Sequence, residues 1–305
     1  MKKSYAWAAA ATLGVTVLAG CGSPESLDGT DQSGQSSQSE GGSESLIVGS
    51  SNFSENVVLA NIFAEVLRDE GFDVTVKPNI GSREVLMPAL EDGSVDLVPE
   101  YSGSLLAYLD STADVTEADQ IIEQLHQVLP EGLTLLEPAE AQNKDSIIVT
   151  PEFAEEHGVK AIPDLAPLAS ELTFGGPPES KERRAGLGGL ESVYGLKFKE
   201  FKPIDLGGPL TIAALQKGDI QVGQMYSTQP AIADFVVLED PEHTSTAEQV
   251  VPLVRTDANN ERVQAALDRV MQQLTTDDLI ALNTKVETDK QDPQKVAREF
   301  VDSLQ

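Results

Sequence analysis

The sequence predicts an α/β protein made of two similar lobes with a ligand cleft between them. Three observations carry this expectation. From Leu46 onward, strand-like and helix-like periodicities alternate. The stretch PALEDGSVDLVPEYSGS, Pro88 to Ser104, returns in weaker form as AALQKGDIQVGQMYST, Ala213 to Thr228. Without a gap, Ala89-Leu90 falls on Ala214-Leu215, Gly93 on Gly218, Val95 on Ile220, Leu97 on Val222 and Tyr101-Ser102 on Tyr226-Ser227, at a constant offset of 125. Finally, 305 residues can bury two cores of this kind.

The N-terminus reads as an export signal. Lys2 and Lys3 precede an apolar stretch, Tyr5 to Val17, that is too short to span a bilayer comfortably. Leu18-Ala19-Gly20-Cys21 then has the form of a bacterial lipobox. Residues 1–21 are therefore expected to be a lipoprotein signal peptide, with Cys21 lipidated after cleavage. Cys21 is the only cysteine, so no internal disulfide is available to it. Residues 22–45, rich in Gly, Ser, Gln and acid, lack the apolar side chains to fold and read as a flexible tether. The folded body is thus expected outside the cytoplasm, lipid-anchored to the cell membrane.

Composition narrows the partners. The formal net charge is -29, from 21 basic and 50 acidic residues. A surface this acidic excludes nucleic acid and adhesion to anionic lipid through a basic patch. Removal of Lys2 and Lys3 with the signal peptide takes the charge from -29 to -31.

The elements follow in order. LIVGSSNF is a strand and a turn. In ENVVLANIFAEVLRDEG, Val58, Ile62 and Val66 recur at helical spacing, and Gly71 stands where a helix C-terminal glycine belongs. FDVTVKP alternates as a strand. Ser82 can cap a helix through REVLMPALEDG that Pro88 would kink, and VDLVPEY is the next strand. In the second half, SIIVT, ELTFGG, KFKEFKP, IQVGQMY and ADFVVLED read as strands. Gly207-Gly208-Pro209 opens a helix, with proline suited to its first position. The last fifty residues read as mainly helical. The alternation predicts largely parallel sheets with helices on both faces.

In open α/β sheets, ligands bind beyond the carboxyl ends of strands. The repeat would therefore present a helix N-terminus and a Tyr-Ser pair from each lobe to one cleft, with Tyr101 and Tyr226 closing on a ligand from opposite sides. Catalysis has no visible apparatus. His126, His157 and His243 stand in polar surroundings without partners at metal or triad spacing, and no phosphate-binding glycine loop with its Lys-Ser/Thr ending occurs. No cofactor or metal is expected.

At this point the residues resemble a known family. IVGSSNFSENVVLANIFAEVLRDEGFDV, GSREVLMPALEDGSVDLVPEYSGS, LTFGGPP, YGLKF, GDIQVGQMYST and VVPLVRTD are similar to the substrate-binding proteins of osmoprotectant ABC transporters, which take glycine betaine, choline, carnitine or proline betaine. The resemblance runs from about Leu46 to Gln305. It implies a type II periplasmic-binding-protein fold with two crossings between lobes, lobe 1 being 46–141 plus 252–305 and lobe 2 being 142–251. It also implies that the C-terminal helices pack on lobe 1. Its partners would be a small-molecule ligand and the permease and ATPase subunits of an importer, the binding protein itself being a monomer.

A quaternary ammonium cannot donate a hydrogen bond, so aromatic faces hold it. The resemblance maps that role onto Tyr101 and Tyr226, with Phe53 as a further wall. It gives Ser104 a polar contact to the ligand and Arg183, or alternatively Arg184, a ligand carboxylate. The chain also departs from the family. Ser51 replaces a lysine that helps bind carboxylate in many relatives. AQNKDSIIVT lacks a tyrosine that they place before that strand, and Asp145 or Ser146 falls there. Asp145 could attract a cation, hydrogen-bond a polar ligand or cap the next element. The alternatives are the same fold binding an amino acid or another small polar metabolite, or an envelope receptor without transport.

Overall fold

A computed structural model describes residues 44–304. The signal peptide, Cys21 and nearly all of the tether lie outside the described residues. The first half runs β1 (Ser45–Ser51), α1 (Ser54–Asp69), β2 (Asp73–Gly81), α2 (Arg83–Glu91), β3 (Leu97–Tyr101), α3 (Ser102–Leu109), α4 (Ala118–Val128) and β4 (Leu133–Leu135). The second runs β5 (Asp145–Val149), α5 (Pro151–His157), β6 (Thr173–Gly176), α6 (Leu187–Ser192), β7 (Glu200–Pro203), α7 (Pro209–Lys217), β8 (Val222–Tyr226) and β9 (Val236–Val237). It is followed by β10 (Val250–Arg255), α8 (Glu261–Met271), α9 (Thr276–Asn283) and α10 (Pro293–Ser303).

Two sheets form, β2-β1-β3-β10-β4 and β7-β6-β8-β5-β9. The two orders match position for position, and β3 and β8 are the paired strands of the repeat. Parallel pairing holds only for β2-β1-β3 and β7-β6-β8. The expectation of largely parallel sheets is corrected here. β10 runs antiparallel to β3 and β4, and β5 runs antiparallel to β8 and β9. Each of these is the strand by which the chain enters from the other lobe, and it joins the sheet in the reverse direction.

Local chemistry accounts for the boundaries. Gly71 (φ 88°) ends α1 in a left-handed turn. Its N–H bonds Arg68 O at 2.9 Å and the next N–H, of Phe72, bonds Leu67 O at 3.1 Å, the paired closure of a Schellman motif. Pro209 takes the first position of α7. Ser82 stands at the N-cap of α2, but its hydroxyl bonds the Glu84 carboxylate instead of a backbone N–H. The helix continues through Pro88 to Glu91. In ADFVVLED only Val236–Val237 are strand, since the preceding Pro230–Asp234 turn is a short 3₁₀ helix.

Helix α1 is buried over most of its length between the first sheet and the C-terminal helices. Val58, Leu59, Ile62, Phe63, Val66 and Leu67 share a core with Val263, Leu267, Val270, Leu279, Val296 and Val301. Each such side chain contributes about 1.5–3 kcal/mol on burial. The other face of this sheet is covered by α2, α3 and α4 through Leu86, Leu90, Leu105, Ile121 and Leu125.

The chain crosses between sheets before β5 and again before β10, and the two crossings lie side by side. Asn143 N donates to Glu248 O at 3.0 Å and Val250 N to Ala141 O at 2.9 Å, with Gln142 and Gln249 forming an antiparallel bridge. The serines of the repeat bind these crossings. Ser102 N donates to Gln249 O at 3.0 Å while Ser102 Oγ accepts from Gln249 N at 3.1 Å. Ser227 N donates to Lys144 O at 2.8 Å while Ser227 Oγ accepts from Lys144 N at 2.9 Å. The expected Tyr-Ser pairs therefore divide: each tyrosine goes to the cavity and each serine fastens a crossing.

Candidate functional site

One cavity of about 40 Å³ lies between the sheets, lined by Phe53, Tyr101, Ser104, Asp145, Arg183 and Tyr226 together with Ser51, Asn52, Ser82, Arg83, Glu100, Asn143 and Glu179. The structure thus brings together all six side chains singled out from the sequence. Arg184, the alternative to Arg183, is not among the lining residues, and its buried Nε has no partner among the described residues.

Phe53, in the turn between β1 and α1, stands between the two tyrosines. Its ring centroid is 6.0 Å from that of Tyr101 and 4.9 Å from that of Tyr226, at interplanar angles of 35° and 36°. These are the separations at which tilted aromatic pairs attract. The strand ends β3 and β8 deliver the two tyrosines from different lobes. Burial raises both phenols above their ordinary value, and Tyr101 is raised further by Glu55 and Tyr226 by Asp145. Both rings remain neutral near pH 7.

The charged walls are mostly acidic. Among the lining residues, Glu100, Asp145 and Glu179 outnumber Arg83 and Arg183. Arg83, the third residue of the GSREV stretch, is held bidentately: Nε donates to Glu100 Oε1 at 3.0 Å and Nη2 to Glu100 Oε2 at 2.7 Å. Burial works against the Arg83 charge, but Glu100 more than offsets it and holds the guanidinium above its ordinary value. Loss of hydration raises the Asp145 carboxyl, and Arg183 and a hydrogen bond from Gln224 Nε2 at 2.8 Å oppose the rise. Ser104 presents its N–H and hydroxyl to Glu248, at 3.0 and 2.7 Å. Burial pushes the Glu248 carboxyl up to about 7 despite those bonds.

The residue that sequence reasoning missed is Glu55, at the second position of α1 and 3% exposed. Four donors converge on it. Tyr101 Oη and Asn143 Nδ2 reach Oε1 at 2.7 Å each, and Thr228 Oγ1 and Asn283 Nδ2 reach Oε2 at 2.6 Å each. These come from β3, the first crossing, the turn after β8 and α9. The available signal was a carboxylate in a helix whose other faces are apolar.

Two α/β lobes that line one small cavity with aromatic rings and acidic groups define a two-lobed solute-binding protein. The chain belongs to the OpuAC family, described as the substrate binding domain of ABC-type glycine betaine transport systems, whose profile matches residues 44–303. It is 30% identical over 276 residues to a glycine-betaine-binding protein of Pseudomonas aeruginosa, covering 85% of this chain and 87% of that one. It is 27% identical to the glycine betaine-binding protein YehZ of Escherichia coli, covering 83% and 88%. Its fold matches the crystal structure of a glycine betaine/carnitine/choline ABC transporter protein with a TM-score of 0.66 at 20% identity, over 85% of this chain and 98% of that one. The type II periplasmic-binding-protein fold follows from that match. Membership of the family brings a transport role, in an extracytoplasmic family that is not an enzyme family. Among the described residues no helix is long and apolar enough to cross a membrane.

Proposed function

We propose that this chain captures a small quaternary amine, such as choline or glycine betaine, between its lobes and delivers it to an ABC importer. The observation that carries this reading is the packing of Phe53 between Tyr101 and Tyr226 on an acidic cavity. Aromatic faces attract a cation that has no hydrogen to donate, by about 2 kcal/mol or more per desolvated contact. Surrounding carboxylates add to the attraction and cost little hydration for a charge spread over methyl groups. In this reading Phe53, Tyr101 and Tyr226 hold the ammonium, while Ser104, Asp145 and Arg183 face its polar end.

Titration calorimetry of the folded body against choline, glycine betaine, carnitine, proline betaine and a set of amino acids tests this. Saturable binding of at least one quaternary amine, tighter than any amino acid by about 100-fold or more, is expected. Preference for an amino acid would overturn the reading. The protein works tethered to the cell membrane through lipid on Cys21, as a monomer. Cys21→Ala is expected to leave the precursor unprocessed or to release the protein from the membrane fraction, whereas unlipidated wild-type protein recovered from membranes would contradict the anchor.

A further inference from the structure

The cavity has two arginines, and neither is free. Arg83 spends its Nε and one terminal nitrogen on Glu100 within the same lobe. Arg183 comes from lobe 2 and crosses the cleft to lobe 1, where Nη2 lies 3.1 Å from Glu84 Oε1 and 3.2 Å from Glu84 Oε2. Glu179 lies 3.8 Å from the same nitrogen. Glu84 is the second residue of α2, next to the cavity-lining Arg83, and its carboxylate also accepts the Ser82 hydroxyl at 2.5 Å. Burial opposes its ionisation, but the Ser82 bond and the Arg183 charge outweigh burial and hold the carboxyl below its ordinary value. It is therefore ionised at neutral pH.

We infer that Glu84 sets the ligand preference of this cavity by occupying Arg183, so that the site favours a quaternary ammonium without a carboxylate over one that carries a carboxylate. The inference rests on the quaternary-amine reading above and concerns the same cavity. A ligand carboxylate needs a cation, and with Arg83 committed to Glu100 the remaining one is Arg183. To reach it, the ligand must displace Glu84. That leaves two carboxylates close together beside Glu179 and also breaks the ion pair that links the lobes. A ligand ending in a hydroxyl leaves the pair in place and adds one positive charge to an acidic wall. Specificity is a difference between affinities, and repulsion of the wrong ligand contributes to it as much as attraction of the right one.

The pair is partly exposed, at 22% for Arg183 and 43% for Glu84, so solvent weakens it. The expected effect is correspondingly about fivefold. The experiment measures dissociation constants for choline and glycine betaine by calorimetry at low salt, in wild type, Glu84→Gln and Glu84→Asp. In Glu84→Gln the ratio of the glycine betaine constant to the choline constant should fall about fivefold, chiefly through tighter glycine betaine. Glu84→Asp, which keeps the charge, should hold a ratio near that of wild type. A side chain serving only to stabilise the fold would change both constants together. An unchanged ratio in Glu84→Gln, with both ligands still bound, overturns the role of Glu84 and leaves the quaternary-amine reading standing. Failure of wild type to bind either ligand overturns both.

Discussion

The Tyr101 hydroxyl donates to Glu55 Oε1 at 2.7 Å, so one of the two tyrosines of the internal repeat has both its face and its oxygen assigned. Its ring borders the cavity, and its oxygen belongs to a buried carboxylate that also takes Asn143, Thr228 and Asn283. Among the described residues no hydrogen bond is made by the Tyr226 hydroxyl. Equivalent positions in the repeat therefore differ in chemistry.

That asymmetry predicts different outcomes for one substitution. Tyr101→Phe removes one of four donors from a buried charge and should lower stability by about 1–3 kcal/mol. Tyr226→Phe should change stability by less than about 0.5 kcal/mol. Either Ala variant should weaken quaternary-amine binding by about 10-fold or more. Urea unfolding and calorimetry on the four variants give the comparison, and equal stabilities for the two Phe variants would contradict it.

Glu55→Ala should be among the most destabilising single changes in the chain. It leaves Asn143, Thr228, Asn283 and Tyr101 without their acceptor in a buried position, at a cost of about 3–5 kcal/mol. Glu55→Gln keeps the shape but offers one acceptor oxygen and brings two N–H donors toward groups that already donate. Its cost should be nearly as large. A melting temperature within a degree or two of wild type for Glu55→Gln would show that the four contacts carry little energy.

Glu248 makes a pH prediction. Its carboxyl titrates at about 7 in the folded protein, against the ordinary glutamate value of 4.5. Between those values the folded state holds a proton that the unfolded chain has released. Stability from this group is complete at low pH and is lost as pH rises through that window, by roughly 3 kcal/mol in all. Glu248→Gln cannot titrate. Wild type should therefore lose stability relative to Glu248→Gln as pH rises from about 4.5 to about 7, as read by urea midpoints at several pH values. Parallel profiles for the two proteins would refute the assignment.

The serines of the repeat give a symmetric prediction. Ser102→Ala strands the Gln249 N–H, and Ser227→Ala strands the Lys144 N–H. Each should cost about 1 kcal/mol. Hydrogen exchange at Gln249 and Lys144 should quicken in the respective variant only. Unchanged exchange at both amides would remove the serines from this role.

Much of this arrangement was legible in the sequence because it repeats. An ungapped offset of 125 marks β3 and β8 as equivalent strands and places Tyr101 and Tyr226 at equivalent ends. The separation of tyrosine from serine was not legible. Alternate residues of a strand end face opposite ways, and a sequence does not state which way the cavity lies. Glu55 was harder still, since its donors lie 46, 88, 173 and 228 residues away. Local periodicity carries no record of such partners. The antiparallel entry of β5 and β10 escaped for the same reason: strand direction follows from how the chain returns across the molecule, not from the pattern within the strand.

The two crossings, bonded to each other and fastened at each end by a serine, have a mechanical consequence. Two separate tethers would let the lobes slide, twist and tilt independently. A two-stranded ribbon flexes readily across its thin direction and resists shear and torsion. A ribbon so fastened favours one principal swing of the lobes over sliding or twisting. Occupancy of the cavity then reduces to one angle between the lobes.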